Sequence, residues 1–538
     1  MFLLVYILRI IFLFNAFMLN QFFDERAKAH YITKAQKNID ILQYHLKLDL
    51  DIEKKDINGE VKIVAHKLFS EQNALELNFF GNMKVKKVNS DFRELKFYHI
   101  KNILTIDISD IPKDTIELSI FYTGTPKRSG FDGFTFGEIN NIPLVYNLSE
   151  PTYAPSWFPC DDDPEDKAFI EVEITNDSSF VSVSNGRLIG VYDIGSRRTF
   201  HWKSNYPIST YLIAVYSSKY ALLKDSYQTI SGKILPLEFY VLPNHIDAAK
   251  KDFAEHKDML EAFENLFGEY AFAEDKYGVA EFLWNYGAME NQTITGIGYN
   301  FISGKNFARD ILAHELAHHW WGNAVGPKTW KDIWLNEGFA SYSEALYLEY
   351  KFGKSSLQST MSSKFSEHFR GSLYNPTNLF SETVYDKGAW VLHMLRNEIG
   401  DSNFFAALRN YFQKFKYVNA STEDFIEVCE SVSSTDLEKF FDDWIFNDKG
   451  IIRCEYNFIN ENERNLITIK QIGELFDEFH FNLDVEIVYA DGSKEMKTFR
   501  IEKNLSSFEL SPSKKIKEVI PDPERKLLAL FFKESKQR

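Results

Sequence analysis

His314-Glu315-Leu316-Ala317-His318, followed by Glu337 after a gap of eighteen residues, is the stretch that decides the fold expected of this 538-residue chain. Positions i and i+4 lie on one face of an α-helix, so a helix here would present His314 and His318 side by side. Two imidazoles one turn apart can hold a divalent metal ion, and Glu315 would lie beside a water bound to that ion. The spacing therefore predicts a metal site built on a helix.

The third metal ligand is expected from Asn336-Glu337-Gly338-Phe339-Ala340, which begins a second run with helical spacing. Two histidines and the carboxylate of Glu337 would leave the fourth position of a tetrahedral zinc ion open for water, as in catalytic zinc sites. One zinc ion per chain is expected, although cobalt or manganese could bind the same ligands. Glu315, next to a ligand, is placed to act as the general base on the bound water.

The residues around these ligands resemble one peptidase family. His-Glu-Leu-Ala-His-His-Trp-Trp-Gly-Asn at 314–323 and Trp-Leu-Asn-Glu-Gly-Phe-Ala at 334–340 are similar to the gluzincin aminopeptidases, the family of aminopeptidase N and leukotriene hydrolase. The resemblance covers about residues 37–530, and its motifs occur in the expected order. It implies a zinc-dependent aminopeptidase that hydrolyses the N-terminal residue from peptides, with a free N-terminus as the feature recognised.

A substrate-binding motif is expected at residues 287–291. Gly287, Ala288, Met289, Glu290 and Asn291 match the Gly-x-Met-Glu-Asn motif of that family. The resemblance implies that Glu290 binds the α-ammonium group of the substrate. A carboxylate at a fixed distance from the metal would select the first residue of a peptide, and a charge-assisted hydrogen bond there would hold and orient it.

Two further site residues follow from the resemblance. Glu150-Pro151-Thr152-Tyr153-Ala154 is similar to the segment that reaches from the family's N-terminal domain into the active site, which implies that Glu150 is a second amine anchor. Relatives commonly have Ala-Arg where this chain has Ala154-Pro155, a departure that leaves the local conformation open. Tyr385-Asp386-Lys387-Gly388 is similar to the family's Tyr-x-Lys-Gly segment, which implies that Tyr385 donates a hydrogen bond to the oxyanion.

Three other polar residues in these segments have less definite roles. Glu344 lies seven residues after Glu337, on the same helix face, and is either a hydrogen-bond partner of a ligand imidazole or an exposed carboxylate. His319 and His393 are expected to be structural, with no chemical role.

The chain is predicted to be a multidomain α+β protein. Alternating apolar residues from Tyr44 to Leu50 predict strands, with Asn58-Gly59 as a turn, and residues 37–225 are expected to form an all-β domain. Helical spacing dominates residues 226–448, and the resemblance implies a thermolysin-like, mainly helical catalytic domain there. Residues 449–538 return to alternation and predict a small β-sandwich, without the C-terminal helical domain that many relatives carry.

Composition excludes some partners. The net charge of −16 disfavours nucleic acid and anionic membrane surfaces, which require a basic face. Peptides are the expected substrates, and the sequence leaves the oligomeric state open. Cys160, Cys429 and Cys454 are too few and too scattered for a disulfide framework, so reduced, buried thiols are expected.

Residues 1–36 are expected to be a hydrophobic leader and linker. Met1 to Leu19 is almost continuously apolar and is at the short end for a membrane-spanning helix. A cleaved signal or an uncleaved anchor would place the protein outside the cell or at the cell envelope, with membrane contact through this segment alone. A misassigned start codon or a buried helix, with a cytoplasmic protein, is the alternative.

Other functions are compatible with the same residues. Zinc, a base and a water would equally serve an endopeptidase, and leukotriene hydrolase relatives also open an epoxide. A catalytically silent peptide-binding homologue is the third alternative, although Glu315, the three ligands and Tyr385 are all present.

Overall fold

A computed structural model describes residues 32–534, except positions 92, 128–129, 132, 462–463, 474–477 and 511–513. The expected leader, residues 1–36, therefore lies almost entirely outside the described residues. Within the described part of the chain, no helix is both long and apolar enough to cross a membrane. The chain divides into two compact units: one runs to Trp330 and includes Phe415–Ala420, and the other contains Lys331–Lys414 and the residues from Ser421 onward.

The first unit is rich in strands. Its strands are β1 (Ile39–Asp51), β2 (Asp56–Lys67), β3 (Ala74–Asn78), β4 (Met83–Ser90), β5 (Arg93–Glu94), β6 (Phe97–Ile100), β7 (Ile103–Asp107), β8 (Thr115–Gly124), β9 (Gly133–Ile139), β10 (Ile142–Leu148), β11 (Phe169–Asp177), β12 (Val181–Val183), β13 (Arg187–Ile194), β14 (Arg197–Lys203), β15 (Tyr216–Ser218), β16 (Ala221–Gln228), β17 (Ile234–Val241), β18 (Tyr277–Phe282), β19 (Ala288–Met289), β20 (Thr295–Gly298), β21 (Gly326–Pro327) and β22 (Asn419–Ala420). Its helices are α1 (Ile246–Asp252), α2 (His256–Phe267) and α3 (Arg309–Ala317).

An eight-stranded sheet, in the order β13-β14-β11-β1-β2-β8-β4-β5, is the largest element of this unit. Tyr44, Leu46, Leu48 and Leu50 on β1 are all buried, and the residues between them face outward, as the alternation predicts. β1 pairs antiparallel with β2 and parallel with β11. Two smaller sheets, β12-β15-β10-β9 and β3-β7-β6, belong to the same unit.

The prediction of a turn at Asn58-Gly59 is wrong. Both residues lie inside β2, and the turn between β1 and β2 is formed by residues 52–55. The glycine has a packing role, because a Cβ on Gly59 would collide with the ring of Tyr122 on the neighbouring strand β8. A glycine that makes room for a ring has the same appearance in the sequence as a glycine that makes a turn.

A five-stranded sheet occupies part of the region expected to be mainly helical. Its strand order is β16-β17-β18-β20-β19, and β18 pairs in parallel with both β17 and β20. All six residues of β18 are buried. A strand covered on both faces shows no alternation of apolar and polar residues, which is why periodicity did not reveal it.

The second unit combines helices with a strand-rich C-terminal region. Its helices are α4 (Trp334–Phe352), α5 (Lys354–Ser363), α6 (Gly388–Ile399), α7 (Asp401–Phe415), α8 (Thr422–Ser433) and α9 (Glu438–Phe441), with π turns at Thr383–Lys387 and Asp442–Phe446. Its strands are β23 (Ile452–Glu461), β24 (Arg464–Gln471), β25 (Phe481–Tyr489), β26 (Lys494–Ile501), β27 (Leu505–Leu510), β28 (Ile516–Pro521) and β29 (Ala529–Lys533). They form the sheets β27-β24-β23-β29 and β26-β25-β28.

All three cysteines, at positions 160, 429 and 454, are buried free thiols, as predicted.

His256, the first residue of α2, is completely buried among the rings of Phe239, Phe253 and Tyr277. Its Nδ1–H donates a hydrogen bond to the backbone oxygen of Phe253 at 2.9 Å. Burial lowers the pKa of His256 from 6.5 to about 4, and the hydrogen bond to Phe253 and the charge of Glu255 oppose that shift without cancelling it.

The neutral His256 makes the fold sensitive to acid. Between pH 6.5 and 4 the unfolded state binds the proton and the folded state does not, so the free energy of unfolding falls as the pH falls through that window. The expected loss is about 3 kcal/mol. His256→Phe keeps a ring in this position but cannot titrate, so its unfolding midpoint should depend less steeply on pH than that of the wild type. Denaturant unfolding of both proteins at pH 7 and pH 4.5 tests this, and parallel pH profiles would contradict it.

Candidate functional site

Helix α3 presents the two histidines together. The helix ends at Ala317, and His318 is its C-cap in a right-handed helical conformation, with its N–H donating to the backbone oxygen of His314 at 3.1 Å. The i, i+4 relationship therefore continues through the helix end. The two imidazole centroids lie 4.6 Å apart, and one ring nitrogen of each lies within 4.8 Å of the other.

The tautomer of His318 suits a metal ligand. Its Nδ1 lies 3.0 Å from the backbone oxygen of Trp321, which can only accept, so this nitrogen carries the proton and donates. The lone pair is therefore on Nε2, the nitrogen that would face a metal ion. Two imidazoles at this spacing fit zinc or another borderline divalent cation.

Glu315 is buried and lies near a cluster of polar groups from other elements. The pKa of Tyr216 is raised well above its usual range, mainly by burial and then by the negative charges of Glu315 and Glu290. The Tyr216 hydroxyl donates a 2.6 Å hydrogen bond to Asn291 Oδ1. Both carboxylates therefore act on one phenol, although 25 residues separate them in the chain.

The predicted substrate-binding motif lies on the edge strand β19, which contains Ala288 and Met289 and pairs antiparallel with β20. Gly287 accepts a hydrogen bond from the N–H of Gly298 at 3.1 Å. Glu290 follows the strand, and its backbone oxygen accepts a hydrogen bond from Asn323 Nδ2 at 2.7 Å. The segment just after helix α3 thus holds the backbone of the motif.

Asn291 has a different environment from the one expected of a substrate ligand. Its side chain donates to the backbone oxygen of Leu212 at 3.2 Å and accepts from Tyr216, and it is completely buried. These contacts hold the loop in place.

The first unit brings Glu150 and Glu290 together. Both side chains are buried, and a carboxylate oxygen of one lies within 4.8 Å of a carboxylate oxygen of the other. Like charges so close together repel each other, and a cation between them relieves the repulsion. The local conformation in doubt at Ala154-Pro155 is a 3-10 turn over Ala154–Ser156, in which the ring of Pro155 restricts the backbone.

His319 was expected to be structural, and its ring forms hydrogen bonds with the backbones of Glu315 and Thr293. Its Nδ1–H donates to the backbone oxygen of Glu315 at 3.2 Å, so Nε2 accepts the N–H of Thr293 at 3.0 Å. Burial lowers the pKa of His319 to about 3, which keeps it neutral. Thr293 has a φ of 68°, a rare conformation for a β-branched residue, and its Oγ1 accepts the N–H of Gly186 at 2.8 Å. His319 therefore connects the helix end to the loop after Glu290, a contact that no local sequence signal reveals.

The second unit carries Glu337 and Tyr385. Glu337 is buried in the first turn of α4, where the helix dipole favours a negative charge. Tyr385 lies in the π turn Thr383–Lys387, which leads into α6. A Cβ on Gly388 would lie 2.8 Å from the Cα of Gly338, so α4 and α6 cross with their backbones almost in contact. Gly338, next to Glu337, and Gly388, three residues after Tyr385, allow this close crossing.

Glu344 is not a surface carboxylate. Its Oε2 lies 2.9 Å from Nζ of Lys364, and that ammonium, which is 2% exposed, also lies 3.2 Å from Asp386 Oδ1. Glu344 thus belongs to an ion-pair network inside the second unit.

Two segments of the chain match domain models of the same peptidase family. The profile of the peptidase M1 N-terminal domain matches residues 41–212, and that of the peptidase family M1 domain matches residues 252–444. The glutamyl aminopeptidase of Bos taurus is 33% identical over 324 residues, covering 55% of this chain and 33% of that protein. The probable aminopeptidase 2 of Sulfurisphaera tokodaii is 25% identical over 438 residues, covering 76% of this chain and 54% of that protein. The chain thus spans between a third and about half of the length of these curated relatives.

Two solved structures share the fold. Legionella pneumophila aminopeptidase A, in complex with aspartic acid, superposes with a TM-score of 0.81 at 20% identity, over 95% of this chain and 61% of that chain. A mutant of a two-domain M1 zinc metallopeptidase, bound to L-arginine, superposes with a TM-score of 0.67 at 22% identity, over 77% of this chain and 95% of that chain.

Proposed function

Because this chain belongs to peptidase family M1, we propose that it is a zinc-dependent aminopeptidase that hydrolyses the N-terminal residue from peptides. The observation that carries the proposal is the pair of buried carboxylates, Glu150 and Glu290, in the same unit as His314 and His318. The acid pair suits a substrate ammonium group, and the backbone of Glu290 is tied to Asn323, five residues after His318. An endopeptidase has no need of such a pair.

We assign the metal to His314, His318 and Glu337. The M1 domain profile, residues 252–444, includes all three, and zinc is the metal of this family. A zinc ion held there supplies Lewis acidity, which acidifies a bound water and polarises a carbonyl. The hydrogen bond from His318 Nδ1 to the backbone oxygen of Trp321 leaves Nε2 as the nitrogen available for that role.

The remaining roles belong to the side chains of the chain itself. Glu290 and Glu150 bind the α-ammonium and fix the first residue of the peptide. Glu315 takes a proton from the attacking water and returns it to the leaving amine. Tyr385 donates a hydrogen bond to the oxyanion of the tetrahedral intermediate.

The finer domain assignment is also a proposal. We assign residues 37–225 to the N-terminal β domain, residues 226–448 to a thermolysin-like catalytic domain and residues 449–538 to a β-sandwich. The M1 profiles and the sheets β27-β24-β23-β29 and β26-β25-β28 support this division.

A panel of aminoacyl fluorogenic amides, each paired with its N-acetylated twin, tests the proposed function. The panel includes Glu and Asp, after the glutamyl aminopeptidases and the aspartic acid complex, Arg, after the arginine complex, and Leu and Ala. Cleavage of the free-amine series alone, abolished by a chelator and restored by zinc, is expected. Equal cleavage of the acetylated twins would favour an endopeptidase. No cleavage by the zinc-loaded protein would favour a non-peptide substrate or a binding role.

A further inference from the structure

Four ionisable side chains meet on the outward face of the eight-stranded sheet, apart from all residues assigned to catalysis. His45 lies on β1, Glu171 and Glu173 lie on β11, and His201 lies on β14. The strand register brings them together, because His45 is opposite Glu171 and Glu173 is opposite His201. Their neighbours along each strand, such as Val172, are buried, so these four share the other face of the sheet.

The contacts within this cluster are short. His45 Nε2 lies 2.8 Å from Glu173 Oε1 and 3.8 Å from Glu171 Oε1, and His201 Nε2 lies 2.6 Å from Glu171 Oε1. The two imidazole rings are stacked in parallel, with centroids 5.8 Å apart. One donor atom each from His45, Glu173 and His201 lies within 4.8 Å of the others.

We propose that His45, His201, Glu171 and Glu173 form a second zinc site, which ties β1, β11 and β14 together. Two imidazoles and one or two carboxylates are a ligand set that zinc prefers. Donor atoms on a tetrahedral zinc lie about 3.3 Å apart, because each is about 2.0–2.1 Å from the ion. The nitrogen–oxygen separations in the cluster, 2.6 to 3.8 Å, bracket that value, and the parallel imidazole rings would rotate to aim both nitrogens at one ion.

Burial and charge also suit a cation at this position. The four side chains are only 15–24% exposed, and the Tyr192 ring, on β13, lies 6.4 Å from the His201 ring. Two carboxylates on one small area leave negative charge that a divalent ion would neutralise. Without the ion, Lys47 and Lys203 balance the two carboxylates, with Nζ 3.6 Å from Glu173 and 3.4 Å from Glu171. Both lysines are about half exposed and can turn into solvent when zinc binds.

The zinc content of the 538-residue chain tests the second site. The protein is stripped with a chelator, reloaded with zinc, desalted and analysed for metal per chain. The double variant His45→Gln/His201→Gln keeps hydrogen-bonding side chains but loses both imidazoles, and it should hold one zinc fewer than the wild type. Its aminopeptidase activity should be unchanged, and the thermal shift on adding zinc should be smaller.

Three further variants make the result specific. Glu171→Gln/Glu173→Gln keeps the imidazoles and should lose the same zinc, which guards against a folding defect in the histidine variant. His66→Gln, on β2 of the same sheet and outside the cluster, should keep the wild-type content. His314→Gln/His318→Gln should retain this zinc, which separates the second site from the catalytic one. Equal zinc content in the wild type and both cluster variants would overturn the proposal, as would equal loss in His66→Gln.

Discussion

Glu315→Gln is expected to lower kcat by roughly 10²- to 10⁴-fold, the range over which a general acid–base group contributes. Glutamine has nearly the same size and can still accept a hydrogen bond, but it cannot take a proton from water. The neighbouring contacts should survive, because His319 is bonded to the backbone oxygen at position 315 and not to its side chain. Zinc content and thermal stability should therefore remain close to those of the wild type.

The measurement is kcat and KM on the best aminoacyl amide of the panel, with metal analysis of the same preparation. Glu261→Gln, which changes an exposed glutamate on helix α2, serves as the matched control and should retain full activity. A Glu315→Gln enzyme with wild-type kcat would remove the general-base assignment. Loss of zinc together with activity would mean instead that Glu315 supports the metal.

Glu290→Gln is the second substitution with a large expected effect, and it acts on recognition. Removing one partner of a buried, charge-assisted pair costs about 2–4 kcal/mol, or roughly 30- to 1000-fold in kcat/KM. The backbone of the motif should stay in place, since Asn323 holds the backbone oxygen of residue 290 and not its side chain. The loss should fall on free-amine substrates, so their preference over the N-acetylated twins should collapse.

The second acid of the pair provides an internal comparison. Glu150→Gln should weaken the same preference. Carboxylate oxygens of Glu150 and Glu290 lie within 4.8 Å of each other, and we propose that both bind one ammonium group. The loss of kcat/KM in the double variant should therefore differ from the sum of the two single losses. Strictly additive losses, or an unchanged ratio of free to acetylated turnover in Glu290→Gln, would show that these residues do not share the substrate amine. Glu261→Gln is again the control for the assay.

The sequence alone was sufficient for features that depend on near neighbours in the chain. The pairing of His314 with His318 follows from the pitch of one helix, and the structure shows it even though α3 ends before His318. The buried face of β1 follows from a two-residue period over a single strand. In both cases the interacting residues are separated by a fixed number of positions, so the periodicity of one element determines the outcome.

Tertiary structure decided whatever depends on residues far apart in the chain. The sequence could not show that Glu150 approaches Glu290, that His319 accepts the N–H of Thr293, or that Gly59 makes room for Tyr122. The sequence also did not reveal β18, which is buried on both faces. Nor did it show that His45, Glu173 and His201, on three different strands, lie close together. Such contacts depend on sheet order and register, which arise from packing the whole core and leave no local period in the sequence.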